Sequence, residues 1–163
     1  MLGCDFGKLF ALLNYKACPS VMARLYNILE NSMSFVSLKD FDNWLRSYGD
    51  AWEKGDSDST KALFTSDAQY YETPFDDPMI GIDVIYKYWK DNAELGQKDV
   101  SFSYNVLAVD RNVGLAHWRV NFKRLPSGNM VKLDGIFKVE FSDDGKCEVF
   151  REWWHRIEEP AFD

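Results

Sequence analysis

Three late stretches of the chain alternate between apolar and polar residues, and they constrain the fold more than any other feature. From Lys146 the residues run Lys-Cys-Glu-Val-Phe-Arg-Glu-Trp-Trp-His-Arg-Ile-Glu. With the two-residue period of a strand, Phe150, Glu152 and Trp154 fall on one side, and Arg151, Trp153 and His155 on the other. Trp118, Val120 and Phe122 alternate with His117, Arg119 and Asn121. Leu133, Gly135, Phe137, Val139 and Phe141 alternate with Asp134, Lys138 and Glu140. Three long strands therefore share an aromatic face, on which Glu152 reads as the only formal charge. A carboxylate among tryptophan and phenylalanine is costly unless something uses or satisfies it.

Turn residues punctuate everything after about Val100. Asp110-Arg111-Asn112, Pro126-Ser127-Gly128-Asn129 and Asp143-Asp144-Gly145 separate antiparallel strands. Ahead of this meander, Phe41, Trp44, Leu45, Tyr48 and Trp52 recur at helical spacing over Leu38–Lys54. Ser37 supplies an N-cap, and Gly55 stands where a helix end takes a left-handed residue. Asp56 and Ser57 cap a second short helix carrying Ala62, Leu63 and Phe64. Tyr70–Thr73 is expected as a short strand halted by Pro74. Residues 74–81 form a loop, and Ile82–Asn92 a third helix with Val84, Ile85, Tyr88 and Trp89 inward. The expected class is α+β, with three helices over the concave face of a strongly curved antiparallel sheet.

The domain is expected over residues 37–159, with a tail at 160–163. Residues 1–36 read as a helical N-terminal extension, in which Val21, Leu25, Ile28 and Leu29 have helical spacing. Leu9–Leu13 is too short for the apolar core of a signal peptide, and no run approaches the length of a membrane-spanning helix. A net charge of −7 disfavours nucleic acid and anionic membrane as partners. Cys4, Cys18 and Cys147 lack metal-ligand spacing, two histidines make a zinc site improbable, and a reducing cytoplasmic setting is expected. No phosphate-binding loop is present, so no cofactor or metal is expected.

Over roughly residues 40–158 the chain resembles the nuclear transport factor 2-like fold, in its SnoaL-like branch. The likeness is carried by Tyr48 with Ala51-Trp52-Glu53-Lys54-Gly55-Asp56, by Ser66-Asp67-Ala68, and by Glu72-Thr73-Pro74-Phe75. Gly81, Leu133-Asp134-Gly135-Ile136 and Asp144-Gly145-Lys146 leading into Arg151-Glu152-Trp153-Trp154 complete it. The resemblance implies a cone-shaped domain around a pocket. It does not imply one reaction, because the superfamily holds isomerases, dehydratases, hydrolases, cyclases and members without chemistry.

Ketosteroid isomerase, a member of this superfamily, uses a carboxylate base and an oxyanion hole of a tyrosine and a protonated aspartate. Tyr48 matches that tyrosine. Thr73 stands at the place of the base and Phe137 at that of the aspartate, so steroid isomerisation by that route is not expected. The candidate catalytic pair is Glu152, as general acid or base, with Tyr48 as its hydroxyl partner. The candidate ligand-binding residues are Trp52, Tyr71, Thr73, Phe75, Trp89, Trp118, Phe122, Phe137 and Trp154. Asp76 and Asp77 read as solvated, and His117 and His155 point outward. The expected ligand is a small apolar or aromatic molecule. The expected function is its binding, with cofactor-free isomerase, cyclase or dehydratase chemistry on a ring if the protein is an enzyme. The alternative is a non-catalytic ligand-binding or protein-interaction module. Trp153 and Ile157, beside Arg119, His117 and Asp134, make the outward sheet face the expected homodimer interface.

Overall fold

Ser37 sets the first helix. In the computed structural model, which describes residues 35–161, its hydroxyl accepts from the Asp40 amide at 3.1 Å, and Asp40 accepts from the Ser37 amide at 3.2 Å. This reciprocal cap satisfies two backbone donors at the start of α1, Leu38–Lys54. Gly55 ends the helix at φ 61°, a left-handed conformation that glycine adopts without side-chain clash. The aromatic stripe of α1 is buried as its spacing predicts, from Phe41 through Tyr48 to Trp52. The expected N-terminal helix, with Cys4 and Cys18, lies outside the described residues.

Asp56 caps α2, Ser57–Ala62, by accepting from the Ser59 amide at 2.9 Å. Leu63 and Phe64 do not continue that helix. Phe64 instead opens β1, Phe64–Tyr71, and the strand ends before Thr73. The reason is strand parity: Phe64, Ala68 and Tyr70 are all buried on one side, a pattern a helix would split. After β2, Met79–Ile80, comes α3, Ile82–Trp89, continued by a π-helical turn at Lys90–Glu94. Ile85 and Trp89 face the core, whereas Val84, expected inward, is exposed.

The meander follows as β3 (Gln97–Asp110), β4 (Val113–Arg124), β5 (Met130–Phe141) and β6 (Cys147–Glu159), with turns where the sequence places them. The strand order is β2-β1-β6-β5-β4-β3. Four strands, β6 to β3, form antiparallel pairs in a row, and β1 pairs antiparallel with β2 but lies parallel to β6, with Tyr70 opposite Phe150. The sheet is therefore mixed and open, and it curls with the three helices packed against it. Register shifts interrupt the β3–β4 ladder between Lys98 and Ser101 and between Val106 and Ala108, and irregularities of this kind bend a strand and increase its twist.

The inward face carries Ala116, Trp118, Val120 and Phe122 from β4, Phe137 and Val139 from β5, and Phe150 and Glu152 from β6. Burial of each large side chain contributes about 1.5–3 kcal/mol. Gly135 makes this packing possible. A Cβ there would stand 2.4 Å from the Trp153 carbonyl and 3.1 Å from Cε2 of Trp118. Glu152 is not alone on the face, contrary to the expectation from Phe150–Trp154. By the same parity Arg124, Arg156 and Glu158 continue it toward the ends of β4 and β6, where the apolar core gives way to partly exposed positions. On the outward face, Asp134 accepts from Arg119 Nε at 2.6 Å and meets His117 Nε2 at 2.7 Å. Trp153 and Ile157 are exposed beside them.

Candidate active site

A cavity of about 150 Å³ opens between α1, the α3 end and the inward face of the sheet. Its floor is aromatic: Trp52, Trp89, Trp118 and Phe122 line it, with Trp154 at one side. Trp52 and Trp118 ring centres are 5.7 Å apart, and those of Trp52 and Trp89 are 5.6 Å apart. The Trp52 indole donates to Gln97 Oε1 at 2.7 Å, and the Trp154 indole to the Glu72 carbonyl at 3.2 Å. The buried indole nitrogens of Trp89 and Trp118 have no partner among the described residues. The π-helical turn brings Asn92 and Ala93 to the rim, an irregularity of the kind that helices carry at functional sites.

Glu152 reaches the cavity from β6 and is 5 % exposed. Its Oε1 accepts from the Tyr70 hydroxyl at 3.0 Å, and the Tyr70 oxygen lies 3.2 Å from the Tyr48 hydroxyl. Tyr70 has one proton and gives it to Glu152, so Tyr48 donates to Tyr70. The result is a directed chain, Tyr48 to Tyr70 to Glu152. Tyr70 holds Oε1, and the Glu152 side chain lines the cavity. Burial pushes the Glu152 carboxyl well above the ordinary carboxylate range, the Tyr70 hydrogen bond opposes that, and the nearby Glu72 charge adds to it. Burial also raises Tyr48, Tyr70 and Tyr88, and the Glu152 charge raises them further, so all three stay protonated donors near neutrality.

Tyr48 thus meets Glu152 through Tyr70 and not directly, as the sequence alone suggested. The helix delivers the Tyr48 ring to the core, stacked on Phe150 at 5.5 Å, and the hydroxyl stops one group short. Tyr70 was missed. Its signal was the alternation of Phe64, Ala68 and Tyr70, hidden because the strand was expected to begin at Tyr70. The same parity turns Tyr71 away from the cavity: its hydroxyl donates to Gln69 Oε1 at 3.0 Å, and Arg151 sits 3.5 Å over its ring. Thr73 donates to Asp76 Oδ2 at 2.6 Å within the following loop, where Phe75 is 97 % exposed. Phe137 lies beneath the floor, fully buried and stacked on Trp118 at 4.6 Å. Those four residues do not line the cavity, whereas Trp52, Trp89, Trp118, Phe122 and Trp154 do. Glu72, Tyr88, Arg124 and Arg156 also line it, although none is among the candidate site residues of the sequence.

Among the described residues no three His, Cys, Asp or Glu side chains cluster as a metal site. No helix there is long and apolar enough to cross a membrane.

Comparison with known proteins follows the same lines. The model of the SnoaL-like domain matches residues 45–150. No curated protein matches the chain. Among solved structures, a Bacillus subtilis protein provisionally assigned as an isomerase superposes with a TM-score of 0.64 at 20% identity, covering 72% of this chain and 87% of that one. An epoxide hydrolase/cyclase-like enzyme of pyran-ring formation in the polyether salinomycin gives 0.62 at 17% identity, with 70% and 89% covered. The Δ5-3-ketosteroid isomerase of a Mycobacterium species gives 0.63 at 13% identity, with 73% and 98% covered. At these identities the likeness is one of fold.

Proposed function

Because the chain belongs to the SnoaL-like domain family, we propose that its aromatic cavity binds a small ring compound and that Glu152 exchanges a proton with one edge of it. The observation that carries this is the division of labour at the Glu152 carboxyl. Oε1 is held by Tyr70, while the same buried carboxyl lines the cavity, and the proposal gives Oε2 to the ligand. A carboxyl whose pKa is raised by burial holds its proton more readily than a solvated one and is the stronger base once ionised. The ring stacks on Trp52 and Trp118, with Oε2 at its edge. Tyr48 and Tyr70 act as positioning residues that hold the carboxyl against rotation.

The reaction class is cofactor-free isomerisation, cyclisation or dehydration, in which proton transfer is the demanding step. A volume of about 150 Å³ suits a single ring. It is far below what a fused steroid would fill, in accord with Thr73 and Phe137 at the places of the isomerase carboxylates. A thermal-shift screen against aromatic acids, lactones and steroids identifies the ligand class. On any turned-over compound, Glu152→Gln lowers turnover by roughly 10²–10⁴ while binding persists. Unchanged turnover removes Glu152 from the chemistry. The non-catalytic reading, a carrier with the same cavity, rests on the aromatic lining alone and predicts equal binding by Glu and Gln with no turnover at all.

Assembly as a homodimer through the outward face is part of this proposal, supported by exposed Trp153 and Ile157 beside the Arg119–Asp134–His117 cluster. A cytoplasmic setting accords with Cys147, a free and fully buried thiol.

A further inference from the structure

We propose that the ring compound taken by this cavity carries a carboxylate, received at the cavity mouth by Arg124 and Arg156. This rests on the reading of the cavity as a small-molecule site and adds the substrate's charge to it.

The two arginines stand on the inward face of neighbouring parts of the sheet, Arg124 at the end of β4 and Arg156 near the end of β6, and both line the cavity. They share one protein carboxylate, Glu158. Arg124 Nε donates to Glu158 Oε1 at 3.2 Å, and Arg156 Nη1 is 3.8 Å from Oε2, beyond hydrogen-bond length. Asn129 also donates to Glu158 Oε1, at 3.0 Å, so that oxygen is already occupied. Each guanidinium offers five N–H donors. Of these two heads, only Arg124 Nε has a side-chain partner at hydrogen-bond distance among the described residues, so both Nη groups of Arg124 and the half-exposed Arg156 head can exchange water for a ligand. The Arg124 head is also steadied, 5.6 Å over the Phe122 ring that forms part of the cavity floor.

A fixed guanidinium with a free edge is complementary to a planar carboxylate, which accepts two parallel hydrogen bonds. Arg124, held by Glu158 and Phe122, and Arg156, free to turn toward a ligand, share one protein carboxylate and so keep N–H donors for another. Glu72, the other carboxylate of the lining, stands by the Tyr88 hydroxyl and lends its backbone carbonyl to Trp154. The bound molecule is then ordered along one line: the carboxylate at Arg124 and Arg156, the ring over the tryptophans, and the reacting edge at Glu152. The ligand class is a monocyclic carboxylic acid.

The test uses two probes of one shape, benzoate and benzamide, titrated into the full-length protein by calorimetry and followed by tryptophan fluorescence. Benzoate is expected to bind about tenfold or more tighter, the scale of a charged hydrogen bond. Arg156→Gln and Arg124→Gln each remove most of that preference, costing benzoate far more affinity than benzamide, and a cooperative urea transition for each variant certifies that it is folded. Equal affinity of the two probes for the unaltered protein, or a preference that survives both substitutions, overturns the carboxylate assignment while the ring site stands. Failure of both probes to bind at 10 mM-scale concentrations, on the order of the weakest useful affinities, overturns the ring site and the assignment with it.

Discussion

Replacing Glu152 with glutamine isolates the energetic consequence of burying a carboxyl in an aromatic cavity. Glutamine keeps the shape and still accepts from the Tyr70 hydroxyl, but it does not titrate. In the unfolded chain the Glu152 carboxyl titrates near about 4.3. In the folded protein burial and the Glu72 charge hold it well above that. Between the two values the native state carries a proton that the unfolded state has lost. Unfolding free energy therefore falls as pH rises through this window, by up to about 1.4 kcal/mol per pH unit from this single group. Below the window both states are protonated, and the contribution is fully present. Above the folded value the loss is complete, and the curve is level again. Urea unfolding of both proteins from pH 4.5 to 8 measures this, because every other titration cancels in the difference. The stability of the native protein relative to Glu152→Gln should decline steadily with pH. A difference that stays flat from pH 4.5 upward refutes the reasoning, since the carboxyl would then be as well solvated folded as unfolded.

Three further outcomes are expected. Tyr70→Phe leaves Glu152 Oε1 and the Tyr48 hydroxyl without their shared partner, and urea denaturation should show a loss of about 1–3 kcal/mol. Gly135→Ala forces a Cβ against the Trp153 carbonyl and Trp118, costing about 1–3 kcal/mol in the same assay and altering the tryptophan emission. Trp153→Glu places a charge at the centre of the proposed dimer face, so light scattering at tens of micromolar should shift from dimer to monomer; a monomer before substitution refutes the dimer.

The helix α1 and the late strands were legible because one rule governed each. Phe41 to Trp52 repeat at the helical period between a capping serine and a terminal glycine, and Trp118, Phe137 and Glu152 follow strand parity between clear turns. The inward course of Glu152 came directly from that parity. Legibility stopped where parity had to be carried across elements. Tyr70 and Tyr71 are adjacent, and choosing between them required the start of β1, which depends on its parallel pairing with β6 some 80 positions later in the chain. Arg124 and Arg156 were legible in principle, being two residues beyond Phe122 and Trp154 on the same face. Arginine at a strand end ordinarily marks the surface, and that masks the parity. The loop positions of Thr73 and Phe75 rest on a local bond to Asp76, which no periodicity announces.

The parallel pairing of β1 with β6 also fixes when the site comes into being. Tyr70 and Glu152 are 82 positions apart, as are Glu72 and Trp154, whose bond closes one side of the cavity. Helices and the β3–β4–β5 hairpins join near neighbours and can form early. Of the six strands, the one that carries the acid is the last to emerge from the ribosome, and it must then insert between β5 and β1. Until it does, the aromatic floor lies uncovered, and Tyr70 has nothing to hold. Such long-range closure slows folding and exposes a sticky intermediate. Chain termination anywhere before Glu152 therefore yields a species that lacks the carboxyl and is prone to aggregate, and β6 is the strand that completes the cavity.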